Sequence, residues 1–288
     1  MINEKKLYKR KYHFTDLQKI ANEFKIPNYE VNGSPGRKLI DYYRILNEMN
    51  LECLLVLGWY YIIPTSIRNI SKYEAWGIHT SLLPKYVGGA PLAWAMINGE
   101  KETGVTLFRL NDGIDNGDII AQKSFKIDCS NTIREVYEKA TIASKEILKE
   151  IFYKLYDGIK FIPQNKAEIK IYPRRFLQYG EINWYDKAEN IYNFIRAQTL
   201  PYPCAFSYLN DYKIFMITSQ KIFLKIKTYL PGTIVFNSKI GTIVATKDYF
   251  IKIGDIKYEG KKIRFEDFAR AKKIWGGYSR AEVYRNVA

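Results

Sequence analysis

The sequence predicts an α/β fold in its first half and a small β-barrel in its second half. Apolar side chains recur at helical spacing over residues 15–26 and 36–50, and a nearly continuous apolar run follows at 51–57. Such a run is typical of a parallel strand that is buried on both faces. Beyond residue 203 the chain breaks into short strand-like pieces separated by turn residues, which is typical of a small barrel.

Helices and strands continue to alternate through the first half. The helix at 15–26 opens with Thr15 or Asp16 and ends before Pro27, because the residue before a proline disfavours helix. A further short helix is predicted at 64–70, and strands are predicted at 76–81, 102–110 and 119–127, with a turn-rich loop at 111–118. This alternation indicates a mostly parallel sheet whose strand ends carry loops available for chemistry.

The clearest single element is an amphipathic helix over residues 132–157. Thr132 and Glu135 have the spacing of a capping box at its start, and Gly158 provides a residue suited to the left-handed conformation at its end. Both signals agree with the apolar periodicity between them, so the helix is predicted with defined ends.

The second half differs in character from the first. A polar stretch predicts a linker at 166–180 between one domain at 1–165 and a second at 181–288. The second domain begins with a helix at 186–198. Its strands are predicted at 204–209, 212–218, 221–230, 232–238, 241–248 and 249–260.

The chain carries a net charge of +15, with 45 Lys and Arg against 30 Asp and Glu. This excess fits a polyanionic partner such as RNA, a membrane surface or a phosphorylated substrate, or alternatively a lysine-rich solvated surface. Because only residues 5–11 approach a basic cluster, we favour the solvated surface. The polar N-terminus and the lack of a long apolar run predict a cytoplasmic protein with no membrane segment. Cys53, Cys129 and Cys204 are predicted to be reduced and mostly buried.

His79 is the strongest candidate for chemistry. It lies where a predicted strand gives way to a loop of tight-turn residues, and the second loop at 111–118 supplies three carboxylates. An imidazole near a carboxylate is the minimum apparatus for moving protons near neutral pH. The alternative is that His79 is a structural core residue, which is the commoner role of a lone histidine.

Other chemistries fit the sequence less well. No Gly-x-Ser-x-Gly elbow surrounds Ser81, which argues against a serine hydrolase. One loop histidine and scattered cysteines provide too few ligands for a transition-metal site, so no metal is expected. The loop aspartates lack the glutamate that closes a calcium-binding EF-hand loop. No dinucleotide or P-loop glycine pattern is present.

The segment at 77–127 resembles the catalytic core of formyltransferases that use N10-formyltetrahydrofolate. Its ordered motifs are His, Ser-Leu-Leu-Pro, Gly-x-x-Pro, Trp, Asn-Gly, Thr-Gly-Val-Thr and Asp-x-Gly-Asp-Ile, and the resemblance extends over about residues 13–270. It implies a Rossmann-like, N-terminally shortened sheet with a small OB-like barrel at the C-terminus. It also implies N10-formyltetrahydrofolate as co-substrate and a homodimer.

The resemblance implies a role for specific residues. His79 matches the catalytic histidine, which would stabilise a tetrahedral oxyanion, and Asp115 matches the catalytic aspartate, which would hold His79 and help remove the amine proton. The backbones of Tyr61 and Ile63 would bind the folate pterin, with a loop closing over it. That loop comprises Asn111, Asp112 and Gly113. For the acceptor substrate, the proposed contacts are Lys85 and Trp94.

Two departures from the family pattern stand out. The family motif is Asn-x-His, in which the Asn amide is a second oxyanion donor, but this chain has Gly77 at that position. A different donor, such as a backbone N–H or Thr80, would then be needed, and the loss of one donor typically costs about 100- to 1,000-fold in rate. The chain also opens with about a dozen polar residues where relatives have a strand, a helix and a second strand.

The family offers two principal acceptor classes. Motifs such as "IYPRR" and "PYPCAFSYL" resemble those of sugar N-formyltransferases, so a nucleotide-linked amino sugar (dTDP- or UDP-linked) is the favoured acceptor. Methionyl-tRNA is the less favoured alternative. A third possibility is a catalytically weakened member that acts as a binding or scaffold protein, as Gly77 and the short N-terminus suggest.

Overall fold

The predicted helices and strands largely form, and they do so in the predicted order. The computed structural model describes residues 2–4, 17–32, 34–59, 62–155, 157–224, 229–237 and 239–272. The helices are α1 (Leu17–Glu23), α2 (Tyr43–Glu48), α3 (Thr65–Arg68), α4 (Pro91–Ile97), α5 (Ile133–Lys154), α6 (Ala188–Gln198) and α7 (Phe265–Ala271). The strands of the first 172 residues are β1 (Ile2–Glu4), β2 (Tyr29–Val31), β3 (Leu54–Val56), β4 (Ala75–His79), β5 (Val87–Gly88), β6 (Glu102–Arg109), β7 (Ile119–Lys126) and β8 (Ile171–Tyr172).

The later strands are short, as the turn signals predict. They are β9 (Ala205–Leu209), β10 (Tyr212–Met216), β11 (Ser219–Ile222), β12 (Ile234–Asn237), β13 (Gly241–Ala245), β14 (Phe250–Ile253), β15 (Asp255–Tyr258) and β16 (Lys261–Arg264). The sequence analysis missed β16 and α7, and it predicted one strand over 249–260 where the structure has two. The break falls at Gly254, whose N–H donates to the Thr218 carbonyl.

The chain divides into two compact units. The first comprises Met1–Gly88, Gly104–Ser124 and Ile142–Ile171, and the second comprises Gly89–Thr103, Phe125–Thr141 and Tyr172–Ala288. The domain boundaries that the sequence suggested at residues 165 and 180 stay a prediction.

A four-stranded sheet in the order β3-β4-β6-β7 forms the centre of the first unit. Strands β3 and β4 run parallel, with Leu54 opposite Ala75 and Val56 opposite Gly77. Strand β6 runs antiparallel to β4, which places His79 opposite Thr106. The predicted α/β class is therefore confirmed. The sheet contains both strand directions, because β6 starts at the end of the sheet where β4 finishes and runs back beside it.

The N-terminal segment contains a strand that the sequence analysis did not predict. Strand β1 pairs in parallel with β2, with Ile2 opposite Tyr29 and Glu4 opposite Val31. Only Ile2 of its three residues is apolar, so the strand has no apolar pattern by which to recognise it. The proposed helix openers Thr15 and Asp16 lie outside the described residues.

Two antiparallel sheets form most of the second unit, in the orders β16-β15-β10-β9 and β11-β14-β13-β12. Their inward side chains and one face of α6 share a core that includes Trp184, Ile195, Met216, Ile251 and Phe265, each no more than 2% exposed. The β-rich character predicted for the C-terminal part is therefore confirmed.

The cysteines only partly follow expectation. All three are free, and Cys204 is buried, but Cys129 is exposed. Burial raises the pKa of the Cys53 thiol to about 12, which keeps it protonated and unreactive. Within the described residues, no helix is long and apolar enough to cross a membrane.

The glutamate half of the capping box predicted for α5 is confirmed, while the Thr132 hydroxyl oxygen accepts from the Arg134 N–H over 3.3 Å, one residue earlier than in a full capping box. The Thr132 backbone N–H donates to the Glu135 carboxylate over 2.7 Å, and the Thr132 hydroxyl donates to the same oxygen. Burial raises the pKa of Glu135, but these hydrogen bonds outweigh that effect and lower it overall. The cap therefore contributes stability while Glu135 is ionised.

We expect Thr132→Ala to lower the free energy of unfolding by about 1 kcal/mol at pH 7, because it removes the cap hydroxyl. The difference should shrink as the pH falls through the folded-state pKa of Glu135, since a carboxyl with a lowered pKa loses its stabilising effect on protonation. Urea unfolding at pH 7 and pH 3.5 measures the loss of stability and its decrease at low pH. The control is Thr141→Ala on the exposed face of the same helix, which should be neutral because alanine favours helix. Equal losses in the two variants would contradict the capping role.

Candidate active site

His79 closes strand β4 and is almost completely buried, with 8% of its surface exposed. Its Nε2 lies 2.8 Å from the backbone carbonyl oxygen of Tyr86. Because a carbonyl only accepts, Nε2 carries a proton and donates it. The other ring nitrogen, Nδ1, lies 3.5 Å from Oδ2 of Asp115. The imidazole thus faces one neutral acceptor and one carboxylate.

A buried hydroxyl holds the loop that presents the Tyr86 carbonyl. The Thr106 hydroxyl donates to the Ser81 carbonyl (2.7 Å) and accepts from the Leu83 N–H (3.0 Å). It also accepts from the Gln122 amide (2.9 Å), which donates to the Leu83 carbonyl as well (2.8 Å). Every hydrogen-bonding capacity of this fully buried hydroxyl is used. The loop after His79 is therefore fixed although it lacks regular secondary structure.

Asp115 approaches His79 from the second loop, between β6 and β7. Its side chain is 25% exposed, and its Oδ2 accepts a hydrogen bond from the Gly88 N–H over 3.0 Å. Its backbone has φ +47°, a left-handed conformation that costs energy for a residue other than glycine. The Gln164 side chain donates to the Asp115 carbonyl over 2.9 Å. The carboxylate therefore reaches both His79 and solvent.

Two glycines allow this loop to close tightly. A Cβ on Gly117 would lie 1.8 Å from the Arg109 carbonyl oxygen, and a Cβ on Gly113 would lie 2.1 Å from the Asn116 amide. The Asn111 side chain accepts from the Gly113 N–H over 3.0 Å, which forms an Asx turn. The shape of the loop therefore depends on the same glycines from which the sequence predicts a turn-rich segment.

The residues expected to hold the folate ring are only partly described. Asp112 forms an ion pair with the nearly buried Arg68 and accepts from the Thr65 hydroxyl over 3.2 Å. The hydrogen bond from Arg68 is the main reason that the pKa of Asp112 is lowered. Ile63 is 8% exposed and packs with apolar neighbours, while Tyr61 lies outside the described residues.

Lys85 and Trp94 lie in different surroundings. Lys85 belongs to the His79 loop and is exposed. The Trp94 indole donates to the Pro173 carbonyl over 2.9 Å, and the Arg175 guanidinium lies 4.7 Å from its ring centre. Packing and a cation–π contact account for Trp94 without a ligand. Among the described residues, no group of three or more His, Cys, Asp or Glu side chains could hold a metal ion.

Sequence reasoning brought His79 and Asp115 together correctly but missed the groups that hold them. The Tyr86 carbonyl and Gly88 N–H are backbone atoms, so only the turn residues around them gave a signal. Thr106 was treated as an ordinary strand residue. Gln164 lies just before the predicted linker, and nothing in the sequence connects it with Asp115.

Comparison with known proteins identifies the family. Residues 12–152 match the formyl transferase family model, and residues 177–273 match the model of the formyl transferase C-terminal domain. The methionyl-tRNA formyltransferase of Thermodesulfovibrio yellowstonii is 34% identical over 235 residues, which cover 81% of this chain and 75% of that protein. The chain belongs to the formyltransferase family.

This formyltransferase also resembles larger proteins. The bifunctional polymyxin resistance protein ArnA of Wigglesworthia glossinidia brevipalpis is 39% identical over 234 residues, covering 80% of the chain but 35% of ArnA. HypX from Aquifex aeolicus, solved with tetrahydrofolic acid, matches at a TM-score of 0.64 and 18% identity. That match covers 94% of this chain and 46% of HypX, so the chain spans about half of the HypX length.

A solved structure of similar length is WlaRD, a sugar 3N-formyl transferase crystallised in the presence of dTDP and 5-N-formyl-THF. It matches at a TM-score of 0.59 and 24% identity, covering 85% of this chain and 93% of WlaRD. At such identity the likeness establishes the shared fold of this formyltransferase.

The structure gives a physical reason for Gly77 in this formyltransferase. A Cβ at this position would lie 2.9 Å from Cδ2 of Leu110 and 3.3 Å from Cε1 of Phe108. Phe108 is 3% exposed and packs in an apolar cluster with Leu83 and Val87. The space next to the Gly77 α-carbon is therefore filled by the sheet's own side chains.

We expect Gly77→Asn to destabilise the protein by about 1–3 kcal/mol, which is typical of overpacking. Adding Leu110→Ala should offset part of this loss by removing the nearest contact. Thermal unfolding of the single and double variants tests the argument. Ser124→Asn on β7 is the control, because it introduces the same side chain at an exposed strand position. The explanation fails if Gly77→Asn is as stable as the control.

Thr106→Val should cost about 1–3 kcal/mol of stability, because it keeps the shape but leaves buried polar partners unsatisfied. Activity should fall further than stability alone explains, since the loop carrying the Tyr86 carbonyl loses its support. Val105→Ala, on the neighbouring buried position, provides a destabilised control without that polar role. A Thr106→Val enzyme with full activity at a temperature where it is folded would refute the coupling.

Proposed function

We propose that this formyltransferase moves a formyl group from N10-formyltetrahydrofolate to the amine of a nucleotide-linked amino sugar, with His79 and Asp115 as the catalytic pair. The observation that carries the proposal is a buried imidazole whose Nδ1 lies 3.5 Å from a partly exposed carboxylate. Formyl transfer to an amine needs a donor for the charge that develops on the formyl oxygen and an acceptor for the amine proton. The pair provides both functions.

The donor set of the site fits a formyltetrahydrofolate substrate. This substrate supplies an activated formyl group on a nitrogen that must leave with a proton. His79 brings one proton-bearing nitrogen, Nε2, into a buried environment, where a donor acts most strongly on developing charge. The described candidates for contacts with the pterin ring are Ile63, Asn111, Asp112 and Gly113. WlaRD and HypX, solved with a formylated and an unformylated tetrahydrofolate, support this donor class.

Asp115 is placed to receive the amine. Its carboxylate is held by the Gly88 N–H and by proximity to His79, yet a quarter of the side chain remains exposed. An ammonium group arriving from solvent would therefore meet Asp115 before it meets the buried ring. The carboxylate attracts and orients this group, which releases one proton to solvent and becomes the nucleophilic amine. As the new C–N bond forms, the carboxylate accepts the second proton from the nitrogen, and a proton is delivered to N10 of the donor as its C–N bond to the formyl carbon breaks.

A sugar acceptor is supported by the likeness of "IYPRR" and "PYPCAFSYL" to sugar N-formyltransferases and by the dTDP in the WlaRD crystals. Lys85, exposed on the His79 loop, is our candidate for a phosphate contact, and Trp94 is a second candidate substrate residue. We further propose that the enzyme acts in the cytoplasm, without a metal and as a homodimer.

Methionyl-tRNA is the second candidate acceptor. It is favoured by relatives such as the methionyl-tRNA formyltransferase of Acetivibrio thermocellus, which is 30% identical over 260 residues and covered to 83% of its length. The net charge of +15 suits either acceptor, because both carry phosphates. Binding to initiator tRNA should weaken steeply as salt rises, whereas a sugar nucleotide with two phosphates should show a shallow dependence.

We expect purified protein to formylate one member of a panel of dTDP- and UDP-linked 3-amino and 4-amino sugars, using N10-formyltetrahydrofolate. His79→Ala and Asp115→Ala should each reduce kcat by about 100- to 10,000-fold, the usual contribution of a positioned acid or base. Asp211→Ala, which removes an exposed carboxylate from the β9–β10 turn, should retain full activity.

The outcomes separate the candidates. Turnover of initiator methionyl-tRNA, with no sugar turnover, would replace the sugar proposal with the tRNA function. Binding of donor and acceptor without turnover would indicate a weakened member acting as a binding protein. Activity that survives both catalytic substitutions would remove His79 and Asp115 from the mechanism.

A further inference from the structure

The position of the Asp115 carboxylate depends on a loop that is not held by regular secondary structure. Asp115 itself adopts a left-handed backbone conformation, with φ +47°. Such a conformation persists for a residue other than glycine only when surrounding contacts determine it. The groups that hold the Asp115 backbone are therefore as important as those that contact its carboxylate.

The side-chain amide of Gln164 holds this backbone at two points. Its Nε2 donates to the Asp115 carbonyl over 2.9 Å and to the Gly117 carbonyl over 2.7 Å. Both partners can only accept, so the nitrogen of the amide must face them. One NH₂ group thus joins the two carbonyls that flank Asn116 and fixes the curvature of the loop.

Gln164 is itself firmly placed. It is 8% exposed, and it follows Ile162, which exchanges two backbone hydrogen bonds of 2.8 Å with Ile119 at the start of β7. Its Oε1 is buried and has no hydrogen-bond partner among the residues that the structure describes. An amide that leaves its oxygen unpaired in order to point its nitrogen at two carbonyls indicates that the two N–H contacts decide its orientation.

The chemistry of the position favours a glutamine. A glutamate would set a carboxylate against two carbonyl oxygens, and a lysine would place a positive charge beside the Asp115 loop, where it would compete with the incoming amine. A leucine would fill the volume but donate nothing. Only a neutral group with two N–H donors on one nitrogen satisfies both carbonyls without altering the local charge.

We propose that Gln164 is a positioning residue for formyl transfer, which acts by holding Asp115 in the conformation that reaches His79. This inference rests on the function proposed above. Gln164 does not need to contact the substrate in this role. It lies outside both of the loops that carry His79 and Asp115.

A double-mutant cycle distinguishes this role from a merely structural one. Gln164→Leu in the wild-type background should lower kcat about 10- to 100-fold with a small change in KM for folate. In an Asp115→Ala background, the same substitution should change kcat less than twofold, because the group it positions is absent. Independent effects that multiply in the double variant would overturn the proposal.

Gln198→Leu is the matched control. Gln198 is also 8% exposed, and its hydrogen bonds go to Arg175 and the Phe194 carbonyl rather than to Asp115. Any effect of this substitution on kcat should be the same with and without Asp115. A cycle that is non-additive for Gln198 as well would show that the assay reports general destabilisation.

A second measurement does not depend on activity. Amide hydrogen exchange of a peptide covering residues 111–118 should accelerate at least tenfold in Gln164→Leu, while exchange in β13 and β14 stays unchanged. Gln164→Glu should show the same local acceleration. Unchanged exchange at 111–118 would refute the positioning role even if the wild-type protein proved inactive with every acceptor. Wild-type inactivity combined with local acceleration would instead reject the proposed function alone.

Discussion

The buried imidazole of His79 is the constraint on which the site depends. A ring that is 8% exposed cannot rely on water for its two nitrogens, so the protein must provide a partner for each. Nε2 finds the Tyr86 carbonyl, and Nδ1 faces Asp115. Both partners lie on loops. Because His79 needs both of them, its burial constrains the backbone of the loop after β4 and of the loop between β6 and β7.

Neutral side chains hold both loops at the points nearest His79 and Asp115, and the ion pairs of the Asp115 loop lie towards its two ends, between Arg68 and Asp112 and between Arg109 and Asp118. Thr106 and Gln122 fix the His79 loop, and Gln164 fixes the Asp115 loop. A fixed positive charge in these places would pair with Asp115 and weaken its hold on an amine. Hydroxyl and amide groups organise the backbone and leave the charge of the carboxylate available, which is the property that preorganised sites require.

The sequence predicted the elements whose signals are local. Periodicity located α5, and its capping residues Thr132 and Glu135 behave as their spacing indicated. Residue type and turn-rich loops at strand ends indicated His79 beside a loop with three carboxylates, and the family resemblance singled out Asp115 among them. Gln164 could not be found in this way, because its role depends on a backbone pairing between Ile162 and Ile119 that brings together residues more than 40 positions apart. The space around Gly77 is likewise set by packing across strands, which a single sequence does not record.

The unequal burial of His79 and Asp115 agrees with the order of events in the amine formylation that we propose. The nucleophile is the neutral amine, formed when the ammonium loses one proton to solvent, and its nitrogen becomes far more acidic once it has bonded to the formyl carbon. A carboxylate that already contacts the nitrogen can then take the second proton. In the proposed mechanism, Asp115, with a quarter of its side chain exposed, meets the amine at the surface, while the oxyanion develops beside buried His79, where the dielectric is low. In this proposal, the more exposed Asp115 removes the proton and the buried His79 stabilises the developing charge. A loop that let Asp115 turn outward would separate these two functions.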